Sequence, residues 1–104
     1  MSVYVDRLSP CIASARWPWR MSCHLFADTP EELHAFAARM GLRRSWFQDT
    51  PGKLPHYDLN EGMRERARKL GAITLLKADE IVEAYARCGD RVAALVMERR
   101  SARC

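Results

Sequence analysis

The sequence predicts an α/β domain: a small, mostly parallel sheet of about four strands flanked by helices, with two additional C-terminal helices. Three observations carry the prediction. Short runs of β-branched and aromatic residues alternate with stretches of helical periodicity. The helical stretches open on capping residues and several stop at glycine, as at Gly41, Gly71 and Gly89. The 104 residues are one domain's worth of chain, and 48% apolar against 29% charged residues is ordinary globular composition.

Val3-Tyr4-Val5 reads as a first strand ending at Asp6, its pairing direction left open by the sequence, and residues 7–19, with Pro10, Pro18, Trp17 and Trp19, as a long loop. Met21 through Ala27 is a second strand. Thr29 caps the helix that follows, with Pro30 at its first position and Glu32 completing a capping box. Leu33, Phe36, Ala37 and Met40 give that helix one apolar face. Ser45-Trp46-Phe47-Gln48 is the expected third strand, with Trp46 and Phe47 on opposite faces of the sheet. Asp58 is placed to cap a second helix, with Glu61 as its partner and Leu59, Met63, Ala67 and Leu70 as its buried stripe. Ala72 to Leu76 forms a fourth strand. A third helix starts at Asp79 and buries Ile81, Val82, Tyr85 and Cys88. A last helix, capped by Asp90, buries Val92, Leu95 and Val96 and frays after Arg99. The whole chain, 1–104, is expected to be one domain, with 76–104 as a helical extension packed on it.

No apolar run approaches the ~20 residues that span a bilayer. The start, Met-Ser-Val-Tyr-Val-Asp, lacks the basic and apolar regions of a signal peptide, so the expected location is the cytoplasm. Cys11, Cys23, Cys88 and Cys104 have no C-x-x-C spacing and are expected to be reduced thiols. The formal net charge of +4 concentrates at Arg64, Arg66, Arg68 and Lys69, and again at Arg99, Arg100 and Arg103. Such charge favours an anionic ligand or nucleic acid, or is simply the solvated face of helices.

Parallel sheets bind ligands beyond the carboxyl ends of their strands. On the predicted topology, Asp6, Asp28, Gln48, Asp49 and His56 share that edge. His24 is a titratable group inside an otherwise apolar strand, a costly placement without a partner. It could act as acid, base or metal ligand, or be a satisfied core histidine. Asp6, His24, His56 and Asp58 are therefore the candidate catalytic residues, and a divalent metal is compatible with them. Arg16, Arg20, Trp46 and Tyr57 are the candidate ligand-binding residues. Trp17 and Trp19 would close over a site, stack on a base or plug the core. No glycine-rich phosphate loop, nucleophile elbow or zinc-binding H-E-x-x-H helix is present.

Val3-Tyr4-Val5-Asp6, Cys23-His24-Leu25-Phe26-Ala27-Asp28-Thr29, Glu31-Glu32-Leu33-His34, Trp46-Phe47-Gln48 and His56-Tyr57-Asp58 together resemble a small bacterial and phage family, domain of unknown function 4031. The resemblance covers roughly residues 2–75. It implies no activity or cofactor, only that His24, Asp28, Trp46, Phe47, His56, Tyr57 and Asp58 belong to the family's pattern. The functional expectation is a domain that binds or hydrolyses a phosphate-bearing ligand, a nucleotide or nucleic acid. The alternative is a non-enzymatic interaction module with structural histidines, self-associating through its C-terminal helices.

Overall fold

The computed structural model of the chain describes residues 2–102, so Arg103 and Cys104 lie outside the described residues. Five strands form one mixed sheet: β1 (Val3–Val5), β2 (Ser9–Pro10), β3 (Met21–Ala27), β4 (Tyr57–Leu59) and β5 (Ile73–Thr74). Four helices accompany it: α1 (Pro30–Arg39), α2 (Glu61–Lys69), α3 (Ala78–Arg87) and α4 (Arg91–Ala102). No helix among the described residues is long and apolar enough to cross a membrane.

The sheet is mostly antiparallel, which corrects the parallel topology predicted from strand–helix alternation. β3 pairs antiparallel with β1, β2 and β4, and the β1–β5 pair alone is parallel. The reason lies in residues 7–19. They are not a free loop between parallel strands, because β2 continues β1 along β3 and the chain then turns back as a hairpin. Val5 faces Leu25 and Ser9 faces Ser22, four steps on one strand against three on the other. One residue is therefore extra, the signature of a β-bulge, and it falls between Asp6 and Leu8.

The two faces of β3 are built by alternation. Val5, Cys23, Leu25, Ala27, Tyr57 and Leu59 point to one side, where Leu33, Phe36 and Ala37 of α1 and Ala67 of α2 complete the larger core. Tyr4 and Phe26 point to the other, where Ala84, Ile81 and Tyr85 of α3 cover them together with Leu54 and Leu75. His24 and Asp58, paired in register, fall on this second face.

The cap of α1 is as expected: Thr29 accepts from the Glu32 N–H and donates its hydroxyl to the Glu32 carboxylate. Several other elements differ from the prediction. Arg44–Trp46 is a single 3₁₀ turn, and only Gln48 bridges to His56 as a strand would. Trp46 and Phe47 thus do not straddle a sheet: Trp46 is half exposed, and Phe47 packs edge-on against His34. The predicted strand from Ala72 to Leu76 shortens to Ile73–Thr74. On α4, Asp90 caps as expected, accepting from the Ala93 N–H at 2.9 Å. Val92 and Leu95 stay exposed, however, because the helix buries Ala93 instead.

The second helix starts at Glu61 rather than at Leu59, because Asp58 and Leu59 are spent in β4. Its cap is Asn60, whose Oδ1 accepts from the Met63 N–H at 2.8 Å. Replacing Asn60 with alanine is expected to cost about 1 kcal/mol. That lowers the melting temperature by roughly 4–8 °C in a domain of this size. Asp58→Ala should leave the helix cap intact, which backbone amide protection at Met63 would report.

Candidate functional site

The bulge in the β1–β2 edge turns the Asp6 side chain towards β3, where it is almost wholly buried. Its Oδ1 accepts the backbone N–H of His24 at 2.7 Å, and its Oδ2 lies 2.7 Å from His24 Nδ1. The Tyr85 hydroxyl, reaching in from α3, also donates to Oδ2. Arg64 of α2 closes the other side by donating from Nε to the Asp6 carbonyl at 2.9 Å. Burial raises the Asp6 carboxyl, but these donors, His24 foremost, outweigh it and hold the group below its usual range. Burial and the Asp6 charge together push the Tyr85 phenol upward, so it stays protonated as a donor.

An ionised carboxylate only accepts hydrogen bonds, so Nδ1 of His24 donates to Asp6, and Nε2 is the nitrogen left for another partner. His56 is fixed in the same sense by a different group. Its Nδ1 lies 2.7 Å from the Leu54 carbonyl, an acceptor, so Nδ1 donates there and Nε2 is turned towards Asp58. The two rings meet edge-on, with centroids 4.7 Å apart.

Asp58 stands opposite His24 in the β3–β4 register. Its Oδ1 is 3.3 Å from His56 Nε2, and its Oδ2 accepts from the Gln48 amide at 2.5 Å. The His56 hydrogen bond holds the Asp58 carboxyl low against the opposing effect of burial. Burial lowers His56, but its bonds to Asp58 and Leu54 prevail and raise it.

One donor atom each from His24, His56 and Asp58 lie within 4.8 Å of one another, the arrangement of a potential metal centre. Each also has a partner behind it: Asp6 behind His24, the Leu54 carbonyl behind His56, and Gln48 behind Asp58. Such outer partners are what orient metal-binding side chains.

A cavity of about 300 Å³ opens beside the cluster. It is lined by Arg16, Trp17, Trp19, Trp46, Gln48, Asp58 and Met63, so Asp58 belongs to both cavity and cluster, with its partner Gln48 beside it.

The structure thus brings together Asp6, His24, His56 and Asp58, with Arg16 and Trp46 lining the cavity that Asp58 borders. Tyr57 lies apart, buried on the opposite face of β4, where its hydroxyl meets His34 Nδ1 at 2.9 Å. Arg20 is exposed, and its carbonyl pairs with the Cys11 N–H; it does not line the cavity. Asp28 does not share the edge of Asp6, because antiparallel pairing carries it to the other end of β1. There it accepts from the Ser2 N–H and the Tyr4 hydroxyl.

Sequence reasoning missed Tyr85 as a site residue, having placed it merely on the buried side of a helix. The usable signal was the phenol itself, since a tyrosine hydroxyl turned into a core needs a partner.

Residues 3–87 match the model of a family described as protein of unknown function (DUF4031). The match runs from β1 to the end of α3. It therefore extends past the residues that carried the resemblance and includes the helix that supplies Tyr85. No curated protein and no solved structure matches the chain.

Proposed function

Since the chain belongs to the DUF4031 family, which carries no assigned activity, we propose its function from the site itself: a metal-dependent hydrolase acting on a phosphate-bearing ligand. The observation that supports this most is that one ring nitrogen each of His24 and His56 and a carboxylate oxygen of Asp58 lie within 4.8 Å of one another. The Nδ1 of each histidine is already committed to an acceptor. Two histidines and one carboxylate suit zinc or another divalent transition-metal ion and leave coordination positions open.

Two ligands at about 2.0–2.1 Å from one ion can be no more than ~4.2 Å apart. Metal binding would therefore draw β3, β4 and the residues around His56 slightly together. A bound ion would polarise the phosphoryl group and make water nucleophilic near neutral pH. The hydrolysis would form one bond from water oxygen to phosphorus and break one phosphorus–oxygen ester bond. The water gives up a proton, and the departing oxygen gains one from solvent. In this reading Asp6, Leu54 and Gln48 are positioning groups, and the Arg16 guanidinium, with no carboxylate partner among the described residues, faces the phosphate.

Calorimetric titration of the chelator-treated protein with zinc and manganese tests the proposal. One ion should bind per chain, raising the melting temperature, and His56→Ala should lose most of that affinity. Hydrolysis of a phosphodiester such as bis(p-nitrophenyl) phosphate should appear with metal and vanish on chelation. If neither ion binds, the metal-dependent reading fails. Exposed Val92 and Leu95 on α4 favour a second reading, a self-association module. Light scattering that shows a concentration-dependent dimer, abolished by Leu95→Glu, would support it.

A further inference from the structure

We infer that the cavity beside the histidine cluster is a binding site for a single nucleobase, so that the phosphate-bearing ligand is a nucleotide. The inference deepens the hydrolase reading and rests on it for the placement of the phosphate, but not for the base site.

The first argument is the lining. The chain has three tryptophans, and all three face this one cavity. Trp19 and Trp46 remain 42% and 49% exposed. Leaving two large aromatic surfaces at the same opening in contact with water is unfavourable unless something covers them.

The second argument is that the rings are held in place. Trp17 and Trp19 meet edge-on at 4.7 Å. Their loop is pinned by the Cys11 N–H on the Arg20 carbonyl at 2.9 Å and by the Ser14 N–H on the Trp17 carbonyl at 2.7 Å. Trp46 is set by the 3₁₀ turn, with the Arg43 guanidinium 5.7 Å from its ring centroid. A platform fixed in advance of binding suits the stacking of a flat ring.

The third argument is polarity. Gln48, whose NH₂ group donates to Asp58, adds its amide to the wall, a group that reads the edge of a base. Trp17 adds an indole N–H that is buried without an acceptor in that same wall. Buried polar hydrogens are rarely left so, and a base carries the carbonyl oxygens and ring nitrogens that could accept it after a small shift of the loop.

Aromatic-lined pockets also bind quaternary ammonium ions. Here Arg43 already lies over one ring and Arg16 lines the opening, while the nearby Asp58 is engaged by His56 and Gln48. The positive surroundings favour an anionic ligand over a cation. A volume of about 300 Å³ takes one base and not a stack of several.

Tryptophan fluorescence titrations of the full chain with AMP, CMP, ribose 5-phosphate and choline test this. AMP or CMP should quench the emission and bind at least about tenfold more tightly than ribose 5-phosphate. Trp46→Ala should weaken that binding about tenfold, and Trp46→Phe should restore most of it. Trp46 is half exposed, so the variants are expected to keep the wild-type circular dichroism. Nucleotide binding by a wild-type chain that binds no metal would sink the hydrolase reading while leaving the base site standing. The inference is overturned if ribose 5-phosphate or choline binds as tightly as the nucleotides, if neither nucleotide binds, or if Trp46→Ala changes nothing.

Discussion

Asp6→Asn is expected to leave the chain folded and to weaken metal binding by about 10–100-fold. The carboxylate of Asp6 accepts from three donors: the His24 backbone N–H, the His24 ring and the Tyr85 hydroxyl. An asparagine of the same shape offers one oxygen and an NH₂ group. Its oxygen can still serve the backbone N–H. The NH₂ group then faces His24 Nδ1, which must become an acceptor, so the ring proton moves to Nε2. The nitrogen that should face the metal loses its lone pair although nothing in the metal's own surroundings has been altered. The fold loses a buried charge and its charged partner bonds together, a cost of roughly 1–2 kcal/mol.

Zinc calorimetry gives the affinity, and long-range nitrogen–proton NMR correlations give the ring tautomer. Unchanged affinity would refute the positioning role. Acid titration provides a second readout. Because the folded state holds Asp6 below its usual range, its stabilising contribution is present above the unfolded value near 3.9. It is lost as pH falls through the folded value. Asp6→Asn should therefore flatten the decline in stability below about pH 4.

The elements were legible wherever local chemistry decides them. Thr29, Pro30 and Glu32 announce α1, and the run from Met21 to Ala27 announces β3. Strand direction was not legible, because it depends on whether a connection is a helical crossover or a hairpin. The segment between Asp6 and Met21 carries β2, a two-residue strand too short to leave a pattern. The polar cluster was legible as a set of residues, but for a mistaken reason. Asp6, His24, His56 and Asp58 were expected to meet at a shared edge of parallel strands. They meet instead through antiparallel register, Asp6 beside His24 and His24 opposite Asp58. Asp28, chosen on the same parallel assumption, is removed by that register. Trp46 was misplaced because an aromatic pair resembles a strand, whereas the 3₁₀ turn presents the ring to the cavity.

β4 states the division between fold and site most sharply, and it predicts opposite outcomes for adjacent residues. Leu59 is fully buried in the larger core, facing Cys23 across the strand pair. Leu59→Ala is expected to cost about 2–5 kcal/mol, a large share of the ~5–15 kcal/mol that holds a domain together. It should shift the urea midpoint strongly, while folded molecules still bind metal. Asp58, one residue earlier, points to the other face and is partly exposed, with bonds to His56 and Gln48. Asp58→Asn should change stability by no more than about 1 kcal/mol, as for other half-exposed ion pairs. It removes a proposed ligand rather than a supporting group, so metal affinity should drop by at least ~100-fold. Sequence reasoning placed Asp58 as a helix cap and Leu59 on the helix stripe; asparagine caps a helix as well as aspartate does, so Asp58→Asn tests the site and not the cap. Urea denaturation and zinc calorimetry on the two variants therefore separate the core residue from the proposed ligand. An Asp58→Asn protein that binds zinc normally would count against the proposed centre.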